Sequence, residues 1–252
     1  MNALNSLLYR EILRFVRQRS RWIGALATPL LFWLLVGTGL GSAFQDPGSG
    51  RVGYLEFFFP GAVLLSVLFT AIFSTISVIE DRDKGFLQGV LVSPQSSSVL
   101  VWSKVLAGAI LGTLQGVLLM ALLFVLPFKA PLMGVLLGVV LLFIMSLCLT
   151  AVAFFFAWKS SSVSGFHGVM NMILMPMWIM SGSVFPVLGS DSILAKLALF
   201  NPLTWGLSSF KMLVGGQPIG IVDLAMGFGY PLIVTLVFWT LANRSISARR
   251  GA

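Results

Sequence analysis

Six apolar stretches, each long enough to cross a bilayer, recur along this chain with only short polar or basic turns between them. Lipid offers no partner for backbone N–H and C=O groups, so such a chain crosses it as helices of roughly 20 residues. Fitted to that length, the stretches are 22–43, 57–79, 99–126, 132–157, 165–186 and 219–243. Six spans and their turns use nearly all of the 252 residues and leave no room for a separate soluble domain. Composition agrees: 10% of residues are charged and 58% hydrophobic, against about 25% charged in an ordinary globular domain. The pattern predicts an all-α, polytopic membrane protein with six transmembrane helices, forming a single domain over 1–252.

The formal net charge is +8, which in a soluble protein would suggest nucleic acid. Here the charge is sorted by side instead, and no nucleic-acid partner is expected. With the N-terminus inside, the inner segments hold Arg10, Arg14, Arg17, Arg19, Arg21, Arg82, Lys84, Lys104, Lys159, Arg244, Arg249 and Arg250. The outer segments hold only Arg51, Lys129, Lys196 and Lys211. By the positive-inside rule both termini are cytoplasmic, in a cell (inner) membrane. The single Cys148 rules out an internal disulfide. No cleavable signal peptide is expected, because the first apolar stretch is too long for a signal core and follows a charged amphipathic segment.

Residues 3–21 read as that amphipathic helix. Leu4, Leu7, Leu8, Ile12, Phe15 and Val16 share one side, and Arg10, Arg14, Arg17 and Arg21 the other. A helix of this kind lies in the membrane interface with its arginines among anionic headgroups. Gly108 with Gly112, and Gly134 with Gly138, have the spacing that lets membrane helices approach closely, and their faces are candidates for contact with a second copy of the chain. The longest outer segment, 187–218, follows Pro186 and holds two apolar pieces, 192–200 and 203–214, too short to span. Asn201 and Pro202 break the chain between them. They are expected to form a re-entrant helical hairpin, with Ser208, Ser209 or water meeting the carbonyls freed at its turn.

The densest mixed charge is Glu80, Asp81, Arg82, Asp83 and Lys84, where the second span ends. Gly85 follows, then Phe86, Leu87, Val90 and Leu91 at helical spacing, then Pro94 and a run of serines able to cap the third span. This is a short amphipathic helix at the inner surface. On periodicity alone, an exposed stripe for a partner and a stripe facing the membrane are equally well supported.

Four segments together resemble the type-2 ABC exporter permease family: YLEFFFPG at 54–61; EDRDKGFLQGVLVSP at 80–94, followed by Lys104; SGSVFP at 181–186; and FNPL at 200–203, with Lys211 beyond. The resemblance runs in order along nearly the whole chain. It implies that 80–98 holds a coupling helix that docks in a cytoplasmic ATPase subunit. It also implies that 1–21 is an interface helix, that 187–218 is an outer hairpin, and that two permease copies enclose the pathway. Gln88 and Gly89 stand where the family usually shows a Glu and a larger residue.

No Gly-Lys dipeptide occurs, so the chain cannot build the phosphate-binding loop of a P-loop ATPase. No cofactor is expected on this chain; ATP and Mg would belong to the partner, and the chain itself would not be an enzyme. One His and one Cys cannot supply a usual zinc site. His167 and the Ser181–Ser183 pair fall near opposite ends of one helix, roughly 20 Å apart at about 1.5 Å per residue, too far for a nucleophile and its base. An ion-coupled carrier or channel is the competing reading. Such carriers place ionisable groups inside their spans, and these spans hold almost none away from their ends.

Overall fold

A computed structural model describes residues 3–40, 53–92, 96–124, 130–187 and 191–250. Among the described residues there are ten α-helices and no strand: α1 (Ala3–Arg17), α2 (Arg19–Gly39), α3 (Tyr54–Asp83), α4 (Phe86–Val92), α5 (Ser97–Met120), α6 (Leu132–Lys159), α7 (Val163–Trp178), α8 (Ile193–Ala198), α9 (Pro202–Val214) and α10 (Ile221–Arg250). A 3-10 turn (Ala121–Phe124) ends α5, and a π-turn (Ile179–Ser183) ends α7. Six of these segments are long and apolar enough to cross a membrane: Arg19–Gly39, Tyr54–Asp83, Ser97–Leu123, Leu132–Lys159, Val163–Ser183 and Ile221–Ala248. They are the six spans expected. The expected end of the first span at 43, the first outer loop up to 52, most of the 127–131 turn and Pro94 lie outside the described residues.

The bundle is built around α3. Of its apolar stretch 83% is buried, against 22% for α2 and α7 and 17% for α10. α2, α5 and α6 pack on α3, α5 packs on α6, and α10 covers α6 and α9. The outer faces of α2 and α10 carry exposed Leu31, Leu35, Ile233 and Leu236, which suits hydrocarbon rather than water. Aromatic N–H groups inside the bundle find backbone acceptors: Trp33 Nε1 donates to Leu55 O at 2.7 Å and Trp178 Nε1 to Gly61 O at 2.8 Å.

Small residues set the closest approaches. A Cβ on Gly108 would strike Thr150, and one on Gly112 would strike Ser146, so α5 lies directly against α6. Gly134 leaves room for the Leu213 carbonyl and Gly138 for the Phe210 ring, so α6 also meets α9. All four glycines are therefore used inside the chain. They do not offer the free packing surface expected for a second copy.

The two ends of the bundle differ. One, the basic end, gathers α1, the last turn of α3, α4, the start of α5 and the ends of α6 and α10. There Arg82 reaches α6, and Ser247 of α10 meets Ser97 of α5 at 3.3 Å. The opposite end gathers the start of α3, the π-turn, α8 and α9. Both the first and the last helix thus finish at the basic end.

Candidate functional site

The charged segment at the end of the second span is not a loop. Glu80 to Asp83 form the last turn of α3. Lys84 N donates to Glu80 O at 3.0 Å, and Gly85, at φ +74°, turns the chain directly into α4. A positive φ is cheap only for glycine, so helix and turn are joined with no slack.

A helix turn points Glu80 and Asp81 in different directions, and α1 supplies cations to both. Arg10 grips Asp81 with two N–H groups, at 2.8 and 3.2 Å, and Arg14 donates to the same carboxylate at 2.6 Å. Arg14 also binds Glu80, as does Arg21 from the first turn of α2. From α5, Lys104 Nζ meets Asp81 at 2.6 Å, Glu11 at 3.0 Å and the Ser77 hydroxyl at 3.1 Å. Asp81, Lys104 and Glu11 are buried at 1%, 4% and 7% exposure. Hydrogen bonding to Asp81 raises the Arg10 pKa above its already high ordinary value, so the cation is permanent. Charges taken out of water persist only when paired and hydrogen-bonded, and here three carboxylates are shared among four cations.

This cluster corrects the reading of α1. Its spacing is helical as expected, but it ends at Arg17 instead of running to 21, and Arg21 lies in the first turn of α2. Arg10, Arg14 and Arg21 turn inward to carboxylates instead of lying among headgroups. Of the four arginines on that side, Arg17 remains exposed. Glu11, which the amphipathic pattern passed over, is the residue that brings Lys104 to α1. An acidic residue on the apolar side of such a helix, four residues after Leu7 and four before Phe15, was the available signal.

The cluster also holds α4. The guanidinium carbon of Arg10 lies 3.8 Å above the Phe86 ring centroid, a cation–π contact made by the same group that binds Asp81. Leu87 is 2% exposed and belongs to the core. It anchors α4 to its own bundle and is not part of a surface stripe, as its spacing had suggested. Gln88 and Gly89 are exposed. Arg82 turns the other way and donates to the carbonyls of Ala157 at 3.0 Å and Ser160 at 2.8 Å. It thereby ties α3 to the end of α6, where a cation suits the unpaired carbonyls and the helix dipole. Asp83 and Lys84 are exposed. The serines before α5 do not cap it: Ser96 occupies the N-cap position without a side-chain hydrogen bond.

At the opposite end, the two short helices appear where expected, with Asn201 between them and Pro202 opening α9. Asn201 caps α9, accepting from Leu203 N at 3.0 Å, and its amide donates to Met177 O at 2.6 Å. The freed carbonyls are met by aromatic residues, not by serines. Trp205 Nε1 donates to Leu199 O at 3.0 Å, and the Tyr230 hydroxyl to Phe200 O at 2.7 Å. Ser209 instead binds Asp223 O at 2.7 Å. α9 is largely buried in the protein, with Leu203 and Leu207 at 0% and 1% exposure, whereas Ile193 and Phe200 flanking α8 are exposed.

The π-turn completes this end. Gly182 takes φ +86°, and its carbonyl accepts from Lys211 Nζ at 2.7 Å. That ammonium also lies 3.8 Å above the Phe57 ring. Ser181 and Ser183 hydrogen-bond to each other at 2.7 Å, while His167, at the other end of α7, has its ring against Phe73 at 6.2 Å. Among the described residues, no histidine or carboxylate hydrogen-bonds to the serines. Pro186 is exposed and borders a crevice of about 130 Å³ with Phe57, Lys211 and Leu207.

Comparison with known proteins agrees with this arrangement. The family described as ABC-2 type transporter matches residues 2–214, from α1 through α9. The chain is also similar to a protein named "Putative transport permease ycf38" from Cyanophora paradoxa, 23% identical over 241 residues, 92% of this chain and 83% of the relative.

Proposed function

The chain belongs to the ABC-2 type transporter family, and we propose that it is the membrane-spanning permease of an ATP-driven exporter whose energy comes from a separate cytoplasmic ATPase subunit. The basic end is the cytoplasmic face, α4 is the docking element, and ATP and Mg are bound by the partner. Two permease copies enclose the substrate route, and α8 and α9 close its outer end. The relative's printed name, a transport permease, supports the same class of function.

One observation carries the coupling role. α4 is joined to α3 through only Lys84 and Gly85 and is held from above by Arg10, whose guanidinium also binds Asp81. Asp81 in turn holds Lys104 of α5. A push on α4 therefore reaches α1, the central helix and α5 through short, directional contacts.

The test is a cross-link and a variant. With Cys148 fully buried, a Gln88→Cys permease cross-links to its ATPase in membranes. In the variant Phe86→Ala with Leu91→Ala, association weakens by about 2 kcal/mol or more per docking residue, as for interface hot spots, and transport falls with it. Normal insertion, unchanged ATPase association and unchanged transport in that variant remove α4 from the mechanism. The competing reading, an ion-coupled carrier, finds no support in the positions of charge. The buried ionisable residues Glu11, Asp81 and Lys104 sit together at the basic end, already paired with one another.

A further inference from the structure

Five cations of the basic end are committed to partners inside the bundle. Arg10, Arg14, Arg21 and Lys104 hold carboxylates, and Arg82 holds the carbonyls that end α6. Lys159, the last residue of α6, and Arg244, in the last turns of α10, are different. Both are exposed, and no described carboxylate pairs with either. The one described contact of Lys159 is with the Phe155 ring of its own helix, at 5.8 Å. Unlike exposed Arg17, Arg19 and Lys84, these two line a common crevice. With Arg82 already on the α6 carbonyls, Lys159 is not needed to cap that helix. The two cations face a single crevice of about 350 Å³ between the ends of α6 and α10, completed by Trp158, Ser245 and Ala248.

We propose that this crevice binds the phosphate of an anionic lipid headgroup from the leaflet at the basic end. Two cations on separate helices match a singly charged phosphodiester, with the arginine able to take two oxygens at once. Ser245 adds a hydroxyl donor. The crevice lies where two candidate spans, Leu132–Lys159 and Ile221–Ala248, end at the basic end, and its volume exceeds that of a bare phosphate ion. The rim of α10 below it, with exposed Leu241, offers acyl chains a continuous apolar path. Basic crevices between membrane helices take anionic headgroups by this combination of charge and position. The bound lipid would add a contact between the ends of α6 and α10, helices that already pack on each other along their lengths.

The test is native mass spectrometry of the detergent-purified chain offered equal amounts of phosphatidylglycerol and phosphatidylcholine. The wild type retains phosphatidylglycerol preferentially. The preference falls about fivefold on losing either cation and roughly thirtyfold in Lys159→Gln with Arg244→Gln, the effect of removing charges next to an anionic surface. The charge-keeping exchange Lys159→Arg with Arg244→Lys retains most of it and shows that the fold tolerates substitution here. Arg17→Gln with Arg19→Gln, two exposed cations on the same end, leaves it unchanged. Equal retention of the two lipids, or equal loss in the Arg17/Arg19 variant, overturns the proposal, since diffuse positive charge would then suffice. Displacement of the lipid by millimolar inorganic phosphate would show that the crevice takes a free anion, and it too would overturn the lipid assignment.

Discussion

Asp81 is the residue on which the basic end turns. Its carboxylate accepts from two arginines of α1 and one lysine of α5, at 1% exposure. Glu80, one residue earlier, also binds two arginines, but its side chain is 22% exposed. Water can replace a lost partner at the second site and not at the first. Removing one member of a buried ion cluster typically costs about 3–5 kcal/mol, whereas a solvent-screened pair is worth up to about 1 kcal/mol. Asp81→Asn is therefore expected to lower the thermal unfolding temperature in detergent far more than Glu80→Gln. Equal effects would mean that the cluster is solvated and does not join the three helices.

At the scale of elements, packing distances decide what a substitution does. A Cβ on Gly61 of α3 would lie 2.8 Å from Ser183 Cβ and 2.9 Å from its carbonyl oxygen, whereas one on Gly168 of α7 meets nothing within 4 Å. Gly61→Ala should cost about 1–3 kcal/mol by forcing α3 away from the π-turn. Gly168→Ala should cost nothing and can stabilise its helix by about 0.5–1 kcal/mol; thermal unfolding of the two variants checks both. The outer hairpin calls for a different experiment. Leu203 and Leu207 are buried in the protein itself, so slow labelling there says nothing about lipid. Ile193 and Phe200, at 79% and 77% exposure, are the informative positions. Cysteines placed there should react slowly with a membrane-impermeant thiol reagent, and one at exposed Asp191 quickly. Equally fast labelling at all three would show a solvated surface hairpin.

For the whole molecule, the outward faces of α2, α7 and α10 are apolar and far less buried than α3. Hydrocarbon or a second copy can cover such faces; water cannot. Cross-linking in native membranes is expected to trap a species of twice the monomer mass. Finding only monomer, with transport intact, would refute a two-copy pathway. The glycine pairs cannot be invoked for that contact, since α6 and α9 already occupy them.

Number, order and approximate length of the spans were determined by the sequence alone, because lipid imposes one requirement, roughly 20 apolar residues per helix, and the chain meets it six times. The break at Asn201 and Pro202 was legible for a similar reason: it depends on the conformational limits of two residues, whereas the turn at Gly85 emerged only with the positive φ of the folded chain. Partnership between charges was not. Arg10 and Asp81 are 71 residues apart, and nothing in the helical period of α1 distinguishes an arginine that meets a headgroup from one that meets a carboxylate. Likewise Leu87 and Phe86 are adjacent members of one apolar stripe, and only the placement of α4 against α3 sends the first into the core and the second beneath Arg10. Periodicity records which side of a helix is apolar. What that side touches is decided when the helices pack, because burial and pairing depend on neighbours distant in the chain.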